Sequence, residues 1–216
     1  VLVGTEEADG DFNQLLVRWC DQENNKLWIP ADSNLAGEYP LSEGGVAVQG
    51  KNSRGYSLVL TDSAAYTMQF TGSSGDVFSF HLAGTGCGLI GPNAIAEHNG
   101  TVIWLANTGN FHSYNGGAPQ PMDCTLIRDM FDNIAADQQA KIHAGVNARQ
   151  NEIWFSYPDA RDGDENSRIV VFNFNEGHWA SHDGPGIGCW EDGGIFEFPV
   201  AAHVDGHIYY HEKGHS

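Results

Sequence analysis

The chain has 216 residues, enough to bury a sizeable core, and its 41% hydrophobic content is that of a globular protein and not of a disordered one. Its net charge of −18 argues against binding to DNA phosphates or anionic membranes, because affinity for either depends on Lys and Arg. No apolar run reaches about 18 residues, so no membrane-spanning segment is expected.

Short apolar runs separated by glycine-containing turns predict an all-β chain. Twenty-seven glycines can supply the positive φ that tight turns need. The predicted strands, in chain order, cover residues 15–19, 26–29, 45–49, 55–61, 65–70, 77–82, 94–97, 101–106, 109–114, 144–147, 152–157, 168–173, 178–182, 200–203 and 206–211. Residues 32–45 are turn-rich and predict a loop. In the strand over 55–61, Tyr56, Leu58 and Leu60 alternate on one face.

One segment interrupts the strand pattern. Leu126, Met130 and Phe131 have helical spacing and follow Asp123, which predicts a helix over 125–131 with Asp123 as its N-cap. Residues 135–143 could continue this helix. We therefore expect a short helical insertion at about 123–143.

Strand-like units recur along the chain. Similar stretches begin near residues 61, 107, 167 and 205. The gaps of about 40 to 60 residues are those of one four-stranded propeller blade, and the longest gap contains the predicted helix. The expected fold is a propeller-like array of short antiparallel strands with one helical insertion. We expect residues 1–216 to form a single module, or part of one, from a longer polypeptide, since the chain begins at Val1 and has no signal-peptide pattern.

Several sequence pieces occur in a characteristic order. They are Arg18-Trp19-Cys20-Asp21, Trp28-Ile29-Pro30, Asn34-Leu35-Ala36-Gly37, TDSAAYTMQF at 61–70, GLIGPNA at 88–94, the turn Tyr114-Asn115-Gly116, PMDCTLIRDMF at 121–131, Asp137-Gln138, KIHAG at 141–145, NEIWFSYP at 151–158 and RIVVFNFNEGHW at 168–179. In this order the pieces resemble the tail-hub or nozzle-type structural proteins of short-tailed bacteriophages. Two features depart from that pattern: Cys20 stands where a serine is usual, and the chain is unusually acidic.

The resemblance implies a role, which we state as an expectation. Such proteins form symmetric rings, here expected to be hexameric, around the channel through which DNA passes. The implied partners are further copies of the chain, portal and adaptor proteins and other tail proteins. The implied location is the virion tail, after synthesis in the cytoplasm of the bacterial host. No catalytic residue, cofactor or specific nucleic-acid binding is implied, so an enzyme is not expected.

The acidity has several interpretations. It could be an adaptation to a saline habitat, or it could line a conduit in which DNA slides without sticking. A merely soluble acidic surface explains it equally well.

A carbohydrate-binding or carbohydrate-cleaving propeller, such as a tail adhesin, is the rival interpretation. Tryptophan side chains can stack on sugars, although they more often fill a core. The six are Trp19, Trp28, Trp104, Trp154, Trp179 and Trp190. Cleavage would need two carboxylates across a sugar, and 28 acidic residues leave that question open.

Two segments carry candidate metal ligands. In DARDGDEN at 159–166, Asp162, Asp164 and Asn166 could ligate Ca²⁺, but the distal glutamate of a full loop is missing, so a solvated hairpin loop is the alternative. Histidines recur every four residues near the end of the chain, at His203, His207, His211 and His215. On a helix they would form a metal-binding stripe. On a strand His207 and His211 share a face while the turn at Asp205-Gly206 separates His203, so cross-strand surface histidines are the favoured interpretation.

Other chemistry has little support in the sequence. The four cysteines (Cys20, Cys87, Cys124 and Cys189) lie far apart, so buried reduced thiols are expected and not disulfides. The glycine-rich run from Gly84 to Gly88 precedes no predicted helix, which argues against a phosphate-binding loop. No nucleophile, zinc or nucleotide motif is present.

Overall fold

A computed structural model describes residues 1–7, 9–73, 75–184, 186–192 and 194–214. The chain divides into two compact units. Unit 1 comprises Val1–Leu89 and Gly116–Pro119, and unit 2 comprises Ile90–Asn115 and Gln120–Ser216.

Unit 1 is built from two antiparallel sheets in its described part. The first contains β1 (Leu2–Glu6), β2 (Phe12–Trp19) and β3 (Gly37–Pro40), and the second contains β4 (Ala47–Ser53), β5 (Tyr56–Thr61), β6 (Ala64–Phe70) and β7 (Phe78–Thr85). The sheets share a core of buried apolar residues, to which β2, β5 and β6 contribute. Leu58, Val59 and Leu60 are all buried, so β5 is covered on both faces. The alternation of apolar residues predicted the position of this strand correctly, but it indicated burial of one face only.

The described part of unit 2 contains three further sheets. The first contains β8 (Ile95–His98), β9 (Thr101–Leu105), β10 (Phe111–Tyr114) and β11 (Gln120–Met122). The second contains β12 (His143–Asn147), β13 (Glu152–Pro158), β14 (Asn166–Asn173) and β15 (His178–Asp183). The third contains β16 (Ile187–Glu191), β17 (Val200–His203) and β18 (Ile208–Tyr210). Helix α1 (Ile127–Asn133) and a 3₁₀ turn (Gln139–Lys141) lie between β11 and β12.

All five sheets follow one rule: the strands lie side by side in chain order, each antiparallel to the next. The recurring stretches of the sequence coincide with β6, β10, β14 and β18, and each of these is the third strand of its sheet. The distance along the sequence from one recurring stretch to the next is therefore the distance from the third strand of one sheet to the third strand of the next. The all-β class is confirmed, and the helical insertion lies in the longest gap, as expected.

Aromatic side chains fill unit 2. Trp104, Phe111 and Phe155 are fully buried, and Trp179 stacks on Phe111 with 4.3 Å between ring centroids. The Trp190 ring packs 4.8 Å from that of Trp154. These contacts favour core packing over sugar stacking for the unit 2 tryptophans.

Two strand predictions in unit 1 were wrong. Residues 26–29 form no strand, because local hydrogen bonds close turns there: the Leu27 N–H donates to the Asn24 carbonyl and the Trp28 Nε1 to the Asn25 carbonyl. Conversely, β3 lies inside the predicted loop over 32–45. Its pairing with β2 outweighs the turn-forming composition of its surroundings.

The predicted helix boundaries also need correction. Helix α1 begins two residues later than expected, with Leu126 as its N-cap residue and no side-chain hydrogen bond at the cap. Asp123 does not cap the helix, and its backbone carbonyl accepts a hydrogen bond from Trp179 Nε1. The helix does not continue through residues 135–143. Ile134 adopts an extended conformation and forms a bridge with Asp159, which ends the helix and leaves only the 3₁₀ turn beyond it.

Candidate functional site

The densest charged network in unit 2 centres on Asp159, at the end of β13. Its side chain is fully buried, and Arg161 binds both carboxylate oxygens, with Nε 2.8 Å from Oδ1 and Nη2 2.5 Å from Oδ2. Arg168 Nε lies 3.1 Å from Oδ2. The hydrogen bonds from Arg161 lower the pKa of Asp159 against the opposing effect of burial, so the carboxylate is ionised at neutral pH.

The same network anchors the helical insertion. Arg161 also makes a bidentate contact with Asp129 on α1, at 3.1 and 3.2 Å. Backbone hydrogen bonds support it, from Ala160 N–H to the Asn133 carbonyl and from Ala135 N–H to the Pro158 carbonyl. The loop after β13 therefore holds α1 in place by charge and by backbone pairing. Asp159 was not among the predicted site residues, although Arg161 and Arg168 nearby in the sequence were a signal that could have identified it.

The three calcium candidates have other partners in this network. Asp162 accepts a hydrogen bond from Arg168 Nε at 2.9 Å. Asn166 is buried, and its side-chain amide donates to the carbonyls of Lys141 and Ile187. The Asp164 carbonyl accepts from Lys141 Nζ at 2.9 Å. The side chains of Asp162 and Asn166 are therefore engaged with other protein groups, whereas the contact of Asp164 is made by its backbone carbonyl.

A polar cleft of about 400 Å³ lies beside this network in unit 2. Its lining includes Asp129, Tyr157, Arg168, His182 and Asp183. Burial, together with the negative charge of Asp159, raises the pKa of Tyr157 to about 12. Tyr157 is therefore protonated at neutral pH and suited to donating a hydrogen bond, not to acting as a base.

Unit 1 contains a groove of about 660 Å³ with aromatic walls, which we call the aromatic groove. It runs between β3 and the start of β7. Its lining includes the rings of Trp19, Tyr39 and Phe78, and the acidic or amide side chains of Asp32, Asn34, Glu38 and Asp76.

The aromatic rings of this groove are held in fixed positions. Trp19 Nε1 donates to the Leu35 carbonyl at 2.9 Å, and the indole lies directly against Gly37, where a Cβ would be only 2.3 Å from Cζ2. Tyr39 is 39% exposed and stacks on Phe80 with 4.3 Å between centroids. An exposed ring beside hydrogen-bond acceptors can bind the apolar face and the hydroxyls of a sugar.

The hairpin of β17 and β18 brings two of the terminal histidines together. The Nε2 atoms of His203 and His211 lie 2.9 Å apart. His207 is exposed, and its Nδ1 lies 3.5 Å from Asp205. The turn lies between His203 and the other two, and the hairpin brings His203 back beside His211, which is the cross-strand arrangement that the sequence predicts. The fourth candidate, His215, lies outside the described residues.

The four cysteines are free thiols, and the glycine-rich run from Gly84 to Gly88 contributes to backbone packing. None of the four cysteines, all within the described ranges, is in a disulfide. Cys87 and Cys124 are buried, and burial raises the pKa of both thiols. Cys189 is exposed, contrary to the expectation of burial. Gly88 lies against the Asp62 backbone, so the run serves close packing.

The described part of the chain contains neither a cluster of three metal-binding side chains nor a membrane-spanning helix. Among the described residues, no three His, Cys, Asp or Glu side chains are grouped so that they could hold a metal ion together. No described helix has the length and apolar character needed to cross a membrane.

Comparison with known proteins bears on the fold. No protein-family model matches the chain, and no curated protein matches it. Among solved structures, Hsv2 from Kluyvelomyces marxianus matches with a TM-score of 0.50 and 10% identity, over 92% of this chain and 58% of Hsv2. Hsv2 has a β-propeller-like fold. The propeller-like fold class is confirmed. The chain spans less than two thirds of Hsv2, and at 10% identity the match shows the fold alone. The computationally designed protein Ika4 matches with a TM-score of 0.46 and 14% identity, over 78% of this chain and 93% of Ika4.

Proposed function

We propose that this chain is a non-enzymatic structural component of a phage virion tail, a ring subunit of the hub or nozzle through which DNA passes. The observation that carries the proposal is the ordered series of motifs from Arg18 to Trp179, which resembles such proteins. Fold alone does not imply function, so the proposal rests on these residues and on what they do in the structure.

Two of the motif residues, Arg18 and Gly145, occupy positions that stabilise the fold. Arg18 is nearly buried; its Nη1 donates to the Glu6 carbonyl at 2.7 Å and its Nε to the Trp28 carbonyl at 3.0 Å. At Gly145, an added Cβ would lie 2.5 Å from Trp190 Cδ1. Arg18 therefore joins β2 to two other segments by hydrogen bonds, and the absence of a side chain at Gly145 lets Trp190 pack against β12. Both roles are structural, which is consistent with a scaffold.

A ring imposes a requirement on the surface of the protein. Closed rings form from head-to-tail contacts, so each copy must present two different, complementary surfaces. We propose a hexamer that contacts portal, adaptor and other tail proteins in the virion, after synthesis in the bacterial cytoplasm. The charge of −18 suits a subunit past which DNA slides without adhering.

Assembly with tail components tests the proposal. The full-length protein, mixed with portal and adaptor proteins of the same phage, should appear as an additional ring by electron microscopy. A mixture lacking the adaptor is the control for unspecific association. Failure to join the tail, combined with hydrolysis or tight binding of a host glycan, would overturn the structural role.

Weak DNA binding is a second expectation. In a gel shift with duplex DNA at about 150 mM salt, submicromolar protein should leave the DNA unretarded, because few cations are available to displace counterions from phosphates. The measurement should be repeated with DNA of unrelated sequence. A retarded band that persists at this salt concentration would contradict the charge argument.

The aromatic groove favours a second candidate function, carbohydrate binding by a tail adhesin. Its walls combine the exposed Tyr39 ring with carboxylates and an amide. Tyr39→Ala would remove the exposed ring. A glycan-array signal that this substitution abolishes would support the adhesin.

A further inference from the structure

We propose that His203 and His211 form a two-histidine site for a divalent transition metal ion such as Zn²⁺ or Cu²⁺. The two Nε2 atoms face each other at 2.9 Å across the β17–β18 hairpin. Imidazole nitrogen is a preferred ligand of both ions. The proposal is independent of the tail role and concerns this hairpin of unit 2 only.

The backbone of the hairpin sets the positions of both rings. The His203 N–H donates to the His207 carbonyl at 2.9 Å, and the His211 N–H donates to the Pro199 carbonyl at 2.8 Å. Each histidine is thus fixed at its Cα by a cross-strand hydrogen bond. The pair is a product of strand register, which gives it a defined geometry even though eight residues separate its members in the chain.

Neighbouring rings limit the motion of the two imidazoles. Both histidines are half-buried. The Tyr209 ring lies 4.6 Å from that of His203, and the Trp190 ring lies 5.1 Å from that of His211. These aromatic neighbours restrict the rotation of both imidazole rings.

A carboxylate lies in the turn of the same hairpin. Asp205 accepts hydrogen bonds from the Tyr209 hydroxyl at 2.7 Å and from the His207 N–H at 3.0 Å. The hydrogen bond from the Tyr209 hydroxyl is the main cause of the lowered pKa of Asp205. Because its oxygens are engaged in these contacts, we do not assign Asp205 as a ligand.

Metal binding would replace the hydrogen bond between the two rings. Without metal, one Nε2 carries the hydrogen and the other accepts it. With metal, the donor ring moves its proton to Nδ1, so that both Nε2 lone pairs face the ion and no net proton is released. Zn–N bonds of 2.0–2.1 Å in tetrahedral geometry place two nitrogens about 3.4 Å apart, so the rings need to separate by only about 0.5 Å. The other coordination positions would be open to water.

Calorimetric titration of Zn²⁺ into the 216-residue chain tests the assignment. We expect one equivalent to bind, and His203→Gln and His211→Gln each to weaken binding at least about tenfold, the lower end of what the loss of even an outer partner costs. The glutamine variants keep a polar side chain, and circular dichroism verifies their fold. His178→Ala, which removes an exposed histidine outside the hairpin, should bind Zn²⁺ like the wild type.

Electron paramagnetic resonance of bound Cu²⁺ tests the wild-type protein without any substitution. Two equivalent histidine nitrogens should appear in the spectrum, and Trp190 fluorescence should be quenched because its ring lies beside His211. Equal Zn²⁺ affinity in the wild type and the His203→Gln/His211→Gln double variant would overturn the proposal. A loss in His207→Ala as large as in His203→Gln would overturn the two-residue assignment.

Discussion

Gly88→Ala should unfold much of unit 1 at a denaturant concentration where the wild type is folded. A Cβ at this position would lie 2.1 Å from the carbonyl carbon and oxygen of Asp62 and 2.2 Å from the Ser63 nitrogen. These are backbone atoms and cannot rotate away as a side chain can. We expect a loss of at least about 3 kcal/mol, at the upper end for overpacking.

The close approach at Gly88 is enforced from both sides. The Gly86 N–H donates to the Ser63 carbonyl at 2.8 Å, and the Leu89 N–H donates to the Thr61 carbonyl at 3.0 Å. These two hydrogen bonds hold the segment after β7 in direct contact with the turn between β5 and β6. Relieving the clash would break one of these hydrogen bonds, which adds to the cost.

Hydrogen exchange with mass spectrometry can localise the effect. Peptides from β5, β6 and β7 should lose protection in Gly88→Ala. Gly50→Ala is the matched control in the same unit, because its Cβ would meet only the Leu58 carbonyl oxygen at an ordinary 3.7 Å. Equal protection in the two variants would mean that Gly88 has more room than the structure shows.

Asp159→Asn should destabilise unit 2 at pH 7 and much less in acid. The native pKa of Asp159 is lowered, chiefly by Arg161, so its ionised form stabilises the fold above the unfolded pKa of about 3.9. That contribution is lost as the pH falls from about 4 toward the native pKa. At pH 7 we expect a cost of about 2 kcal/mol, less than for a fully buried pair because both arginines reach solvent.

Urea unfolding between pH 3 and pH 7, followed by tryptophan fluorescence, measures the difference between variant and wild type. That difference should be largest at neutral pH and should narrow below about pH 4. Asp137→Asn, an exposed aspartate in the same unit, is the control and should remain within about 0.5 kcal/mol at every pH. A difference for Asp159→Asn that does not change with pH would show that the lost interaction is not ionic.

Local sequence signals were sufficient to predict the class of the fold and the spacing of its sheets. Alternating apolar residues and glycine turns are local signals, so they identified most strands and the third strand of four sheets. They also located the helical insertion, although not its ends. Helix α1 starts without a side-chain cap and stops where Ile134 pairs with Asp159, and that pairing depends on a residue 25 positions later.

Contacts between residues that are distant in the sequence could not be predicted in this way. The strand β3 has a loop-like sequence and exists because β2 pairs with it. The contact of Gly88 with Asp62, the ion network of Asp159 and the meeting of His203 with His211 all join residues from different strands or turns. No local pattern encodes such contacts. They follow from strand register and from the close packing of the folded chain, where the position of each backbone atom depends on every neighbouring strand.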